Sequence, residues 1–146
     1  MKGRILGVDY GDARTGLAIS DPDCFLANGI GTIHSTYDRE VAEKVVAESL
    51  TQKAVKIVVG NPINMNGTAG PRCDKIAAFC ELLKTMTALP VEIYDERLTT
   101  VSAYRFLNET GTHGKKRKNV VDTLAAQIIL QDYLDRCKSA GGPSHE

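Results

Sequence analysis

The sequence predicts an α/β domain with a mixed sheet and helices on both faces, and three observations carry the prediction. Short apolar runs stopped by glycine or an acid recur along the chain: RILGVD (4–9), TGLAIS (15–20), VKIVVG (55–60) and PVEIYD (90–95). The first two are separated only by the turn Tyr10 to Arg14, short enough for an antiparallel hairpin. The later ones are separated by segments in which the apolar period lengthens to about 3.6, the spacing of one helical face. Hairpin-linked strands followed by strands alternating with helices make a mixed sheet that must be covered on both sides.

In chain order, RILGVD is a buried strand and TGLAIS its hairpin partner. A weaker third strand falls at GIGTIH (29–34). The polar stretch Ser35 to Asp38 then opens a helix whose inner face is read as Val41, Val45, Val46, Ser49 and Leu50. VKIVVG returns to β-branched residues and ends on glycine. NPINMNGTAGP (61–71) is turn chemistry throughout, and Pro71 suits the first turn of a helix facing inward with Ile76, Phe79, Cys80, Leu83 and Met86. PVEIYD is the last strand. Thr99 or Thr100 caps a helix through Leu107, with Gly111 as its stop; a basic loop follows, then a long helix from about Asn119 to Cys137. Residues 1–138 are thus expected to form one domain, with 139–146, SAGGPSHE, as a disordered tail. There is no internal repeat, low-complexity segment or linker.

At 146 residues, 42% hydrophobic and 25% charged, the chain has the balance of an ordinary globular domain. Lys+Arg and Asp+Glu are both 18, so whole-chain charge points to no anionic partner and only local clusters can. No apolar run is long enough to span a bilayer, and MKGRILGVDYG is too broken by polar residues for a signal peptide; no membrane partner and a cytoplasmic location are expected. Cys24, Cys73, Cys80 and Cys137 are scattered without a C-x-x-C pair, which favours free thiols over disulfides or zinc. His34, His113 and His145 show no metal-ligand spacing and are read as solvated.

Three acids stand where a core-building sequence would not choose them. Asp9 ends the first strand, Glu96 follows the last strand in YDERLTT, and Asp122 opens the final helix in NVVDTLAAQIIL. On that helix Asp122 heads an otherwise apolar stripe of Ala126, Ile129 and Tyr133. Each acid has a plainer reading: a strand-end turn residue, a partner for Arg97, a first-turn acid favoured by the helix dipole. Together they describe something else. In open α/β sheets ligand sites gather at the carboxyl ends of strands, and two strands and a helix here can deliver acids to one edge. Gathered carboxylates repel, a hard divalent cation removes that repulsion, and oxygen ligands suit Mg²⁺ or Mn²⁺. Such ions clamp the attacking and leaving oxygens of a phosphodiester displacement.

The motifs GVDYGDARTGLAISD, GNPINMNGTAG, DERLTT and VVDTLAAQIILQDYL together resemble the YqgF family of Holliday-junction-resolvase-like proteins, also described as pre-16S rRNA nucleases. The resemblance spans nearly the whole chain in order and spacing. It implies a ribonuclease-H-like fold with a five-stranded mixed sheet, a metal-dependent nuclease activity on structured nucleic acid, and Asp9, Glu96 and Asp122 as metal ligands and catalytic acids. The substrate it implies is structured RNA, the 5′ end of pre-16S rRNA in ribosome biogenesis, with branched DNA as the alternative. Two departures stand out. Asn61 occupies a position where the family more often shows an apolar residue. The fourth strand ends in GNPINMNG without the acid that many ribonuclease-H-like nucleases carry there, so Glu96 has to reach across.

On this reading the glycines around Asp9 let a nucleic-acid backbone approach the sheet edge, and Arg14 holds a phosphate with a forked pair of hydrogen bonds. Arg97 is a further candidate for nucleic-acid contact. Lys115, Lys116, Arg117 and Lys118 form the one concentrated positive patch, just before Asp122, and are read as a loop on the phosphate backbone. Aromatic residues are only 5%, so backbone and shape rather than base stacking are expected to be read. Two other classes compete. A sugar-kinase-like fold shares a similar first hairpin but needs two such domains, more than 146 residues supply. A non-catalytic RNA-binding assembly factor would keep the fold and acids without turnover.

Overall fold

Four apolar strand signals and one weak one become five strands, all in a single sheet of order β3-β2-β1-β4-β5. The structure, a computed structural model, describes the backbone of residues 3–61, 71–95 and 115–141, and within these the side chains of 3–61, 73–95 and 123–137. The strands are β1 Arg4–Asp9, β2 Arg14–Ser20, β3 Ala27–His34, β4 Ala54–Asn61 and β5 Val91–Asp95. The helices are α1 Asp38–Thr51, α2 Pro71–Met86 and α3 Lys115–Gly141. The helix expected at 99–107 lies outside the described residues. β1 and β2, and β2 and β3, pair antiparallel; β4 lies parallel to β1, and β5 parallel to β4. The mixed sheet of the sequence reading is therefore the observed one.

Central strands in such a sheet are buried on both faces, which is why RILGVD and VKIVVG read as continuous apolar runs. Leu6 and Val8 of β1 join Ile57 and Val59 of β4 in a core with Val41 and Val45 of α1 and Phe79 and Leu83 of α2. Ile5, Ala18, Val58 and Tyr94 face the other way, onto Ala125, Ala126, Ile129, Leu130 and Tyr133 of α3. The inward faces expected for α2 and α3 are thus the buried ones.

The structure corrects the sequence reading at three places. Leu50, assigned to the inner face of α1, is 73% exposed; the buried positions are Val41, Ala42, Val45 and Ser49. The buried stripe continues to Ser49 in the last turn, and Leu50 stands one position round the helix from it, on the outer side. β3 begins at Ala27, two residues early, and carries a register shift opposite Leu17/Ala18 that lets Ile30 join the α1–α2 core while Gly29 faces α3. Such a bulge breaks the alternation on which sequence patterning depends. Finally, Lys115 to Lys118 are not a loop but the first turn of α3, which also continues to Gly141. Lysine and arginine are good helix formers, and a run of charge carries no turn signal of its own. No helix among the described residues is long and apolar enough to cross a membrane.

Candidate active site

Asp9 is the last residue of β1 and is only 7% exposed, a buried carboxylate at the carboxyl edge of the sheet. Its direction follows from the pleat. Gly7, two residues back, lies against Leu130 of α3, so Asp9 belongs to the α3 face. Gly16 is its partner across β2, and Thr32 is the partner of Gly16 across β3. Asp9, Gly16 and Thr32 therefore form one cross-strand row.

Helix α3 is fixed along that row by polar contacts. The hydroxyls of Thr32 and Thr123 are 2.8 Å apart. The Gly29 amide donates to Oε1 of Gln127 at 3.1 Å, and the Ala27 amide to Oε1 of Gln131 at 2.9 Å. Three contacts at helix positions four apart set the register of α3 against β3, and the uppermost lies in Asp9's row. Asp122 precedes Thr123, so its backbone stands at the level of Asp9 across the sheet face; its side chain is outside the described residues. At the opposite edge of the sheet the Tyr94 hydroxyl donates to Asp132 at 2.5 Å, holding α3 against β5. Burial, and then that carboxylate, push the Tyr94 phenol well above its ordinary range, so it remains a donor.

The sequence reading required Glu96 to reach the same edge. β5 ends on Asp95, which pairs with Asn61 and shares with it the parity of Val59 and Ile93, the α1–α2 side. Asp95 is thus not a second acid on Asp9's face. Glu96 and Arg97 lie outside the described residues, as do the side chains of Lys115, Lys116, Arg117 and Lys118. Among the described residues no three His, Cys, Asp or Glu side chains gather in metal-binding geometry. Oδ1 of Asn61, at the tip of β4, is buried and has no hydrogen-bond partner among the described residues.

The turn between β1 and β2 explains its glycines differently from expectation. A Cβ on Gly11 would meet the Arg14 carbonyl oxygen at 2.1 Å, so this glycine serves the turn itself. A Cβ on Gly7 would lie 2.9 Å from Cβ of Leu130, so that one serves helix packing. Gly16, directly across from Asp9, is the glycine left to bare the site. Behind the turn, Tyr10 stacks on Phe79 at 4.5 Å and donates its hydroxyl to Asp38, anchoring the strand end that carries Asp9.

One row beyond Asp9, Arg14 pairs with His34, both on the α3 face. Arg14 is half-buried there, while His34 is exposed. Thr32, Thr123 and His34 were missed by sequence reasoning, because only the register of β3 reveals them. Asn61 had left a signal: it breaks the apolar pattern at the end of β4.

A family model, RuvX, described as Holliday junction resolvase, matches residues 3–136. A protein of Ruminiclostridium cellulolyticum named "Putative pre-16S rRNA nuclease" is 46% identical over 134 residues, covering 91% of this chain and 94% of its own. One of the same name from Clostridioides difficile is 47% identical over 135 residues, covering 92% and 96%. Among solved structures, Thermus thermophilus RuvC in complex with a Holliday junction substrate superposes with a TM-score of 0.56 at 12% identity, covering 91% of this chain and 95% of that one. Fowlpox virus resolvase with Holliday junction DNA gives 0.52 at 13% identity, covering 90% and 97%. At such identities the two structures speak for the fold alone, which is ribonuclease-H-like, while the sequence matches speak for descent. The chain belongs to the RuvX family, the YqgF family of the motifs, and is a nuclease of that family.

Proposed function

We propose that this nuclease hydrolyses phosphodiester bonds of structured RNA, with the 5′ end of pre-16S rRNA as its substrate, in the cytoplasm, and that Asp9, Glu96 and Asp122 form its catalytic centre. The observation that carries the proposal is the buried carboxylate of Asp9 in one row with Gly16 and Thr32, where α3 is held so that Asp122 enters the same level. One peptide bond links Glu96 to Asp95 at the neighbouring edge of the sheet, which supports it as the third member. The relatives' shared name supports the choice of RNA.

The donor set consists of carboxylate oxygens; Asn61, with the parity of Val59, lies on the other face of the sheet and is not part of it. The carboxylate set fits Mg²⁺ or Mn²⁺ and no soft metal. Asp9, Glu96 and Asp122 would hold the ion, and when bound it supplies Lewis-acid polarisation of a phosphate oxygen and a more acidic water. The chain's own contribution is orientation and charge. Arg14, half-buried one row from Asp9, is suited to a non-bridging phosphate oxygen. Lys115 to Lys118 sit in the first turn of α3, where their charge has the same sign as the helix dipole. That end is unfavourable alone and is relieved by a phosphate backbone, which supports a nucleic-acid track leading to Asp122.

The deciding experiment compares a pre-16S rRNA fragment with a four-way DNA junction, in Mg²⁺ and in Mn²⁺, with product ends mapped. Wild type should cleave the RNA at the mature 5′ end. Asp9→Asn should keep its fold and lose activity by about 10³-fold or more, since loss of the ion removes several kcal/mol of transition-state stabilisation. Selective cleavage of the junction instead would make the protein a DNA resolvase. Near-wild-type rates in Asp9→Asn would remove Asp9 from the centre.

A further inference from the structure

The connection from β3 to α1, His34 to Tyr37, is held rigidly at the edge that carries Asp9. The Ser35 amide donates to the Ala13 carbonyl at 3.0 Å, joining the connection to the β1–β2 turn. The Ser35 hydroxyl donates to Glu40 at 2.7 Å and accepts from the Tyr37 amide at 3.1 Å. The next residue, Asp38, receives the hydroxyl of Tyr10, which itself follows Asp9. Between these anchors the Tyr37 side chain is 72% exposed. An isolated surface tyrosine needs no explanation. This one differs in that its backbone is hydrogen-bonded on both sides, beside the turn that follows the buried acid.

The charges around it narrow what it can bind. Asp38 is engaged by Tyr10, Glu40 by Ser35 and Lys44, and Asp12 by Lys75 at 3.4 Å. These acids keep phosphate away from the start of α1. His34, by contrast, pairs in register with Arg14 on Asp9's face, one row beyond it, and is exposed. The connection thus offers an exposed imidazole on the side of the acid and an exposed ring about three residues or ~10 Å of chain further on. That order, polar contact and then apolar face, matches a nucleotide: phosphate first, base beyond.

We propose that His34 and Tyr37 form a nucleotide subsite next to the catalytic centre, in which the Tyr37 ring stacks on an unpaired base and His34 contacts its phosphate. The low aromatic content argues against a platform of several rings, but one ring suffices for one base, and base–aromatic stacking is tolerant of sequence. The enzyme would then prefer substrates with a single-stranded residue beside the helix to fully paired ones. The inference rests on the nucleic-acid reading of the site.

The test measures binding by fluorescence anisotropy in the Asp9→Asn background, with two labelled RNA hairpins of identical stem, one blunt and one with a single-stranded 5′ flank. Tyr37→Ala should weaken the flanked hairpin by about 5- to 150-fold, the range of a lost base–aromatic stack, and leave the blunt one within about twofold. Tyr37→Phe should bind like the parent, because the ring remains. His34→Ala should weaken the flanked hairpin by about 2- to 12-fold, the range for one hydrogen bond. An unchanged flanked affinity in Tyr37→Ala, or equal losses on both hairpins, overturns the stacking subsite. A parent that binds neither hairpin overturns the RNA assignment itself, so the two failures are distinguishable.

Discussion

The two faces of the sheet are built by different means. The face toward α1 and α2 is apolar at its centre, where Leu6, Val8, Ile57 and Val59 meet Val41, Val45, Phe79 and Leu83, and its polar contacts, Thr15 with the Gly11 amide and Tyr10 with Asp38, lie at the β1–β2 turn. Apolar packing is strong but has no preferred register along the helix axis beyond the fit of side chains. The face toward α3 has an apolar centre as well, but its margins are polar. Thr32 meets Thr123, Gln127 and Gln131 take the Gly29 and Ala27 amides, Tyr94 donates to Asp132, and Lys56 lies 2.6 Å from both the Tyr133 hydroxyl and Glu92. Glycines replace side chains where α3 comes nearest, at Gly7 and Gly29. Directional contacts specify position where apolar ones specify only burial. On the proposal that Asp122 works with Asp9, the face that aligns them is the one that uses such contacts.

The largest effect should come from the apolar face. Leu83 is fully buried in α2, and Leu83→Ala should cost about 2–5 kcal/mol of unfolding free energy, read as a lower melting temperature or denaturant midpoint. The specific cleavage rate of the protein still folded should stay within about twofold, because no hydrogen bond to the site runs through this position. A large loss of activity at temperatures where the variant remains folded would show that the apolar packing of α2, and not only the contacts of Tyr10 with Phe79 and Asp38, positions the site.

A smaller loss of stability and a larger loss of activity should follow a change on the other face. A Cβ at Gly7 would lie 2.9 Å from Cβ of Leu130, an atom fixed to the backbone of α3, so the helix itself has to move. Gly7→Ala should cost about 1–3 kcal/mol, the usual range for overpacking. The same displacement shifts the segment bearing Asp122 relative to Asp9. Cleavage measured well below the melting point should therefore fall by about 10²-fold, as expected when reacting groups are misplaced by about 1 Å. If activity falls only in proportion to the folded fraction, the two faces do not differ in the way described.

How much of this was legible in the sequence follows the same division. The apolar face could be read directly, because burial is what hydrophobic patterning reports: Ile76, Phe79, Cys80 and Leu83 were expected inside and are. Asp9 was legible because an acid at the end of an apolar run violates the pattern. The register of α3 on the sheet was not legible, since it depends on the β3 bulge at Ile30 and on glutamines that look like ordinary surface residues in sequence. Lys115 to Lys118 were misplaced for a related reason: charge patterning shows affinity for phosphate, and says little about whether the backbone is helical. The bland role of Gly7 and Gly11 was hidden too, because a glycine records that space is needed without recording what fills it.

The smallest expected effect is the sharpest test of the comparison, and it uses the hydroxyl pair in Asp9's row. Thr32→Val and Thr123→Val each keep the shape of the side chain while removing one hydroxyl of the 2.8 Å contact. Thr32→Val leaves the Thr123 hydroxyl without this contact and Thr123→Val takes the same contact from Thr32, whereas the double change removes both sides of it and leaves two apolar groups facing each other. Stability should therefore show a coupling of about 0.5–1.5 kcal/mol, with the double variant destabilised by less than the sum of the singles. Activity should behave oppositely. Restored apolar contact returns stability but not direction, so α3 is no longer pinned to the level of Thr32, and the double variant should cleave more slowly than wild type at equal folded fraction. A purely packing role for the pair predicts that activity recovers together with stability in the double variant. Additivity of the two changes within about 0.3 kcal/mol would show that the hydroxyls do not interact, and the register of α3 would then rest on Gln127 and Gln131 at β3 and on Tyr94 and Lys56 towards β5.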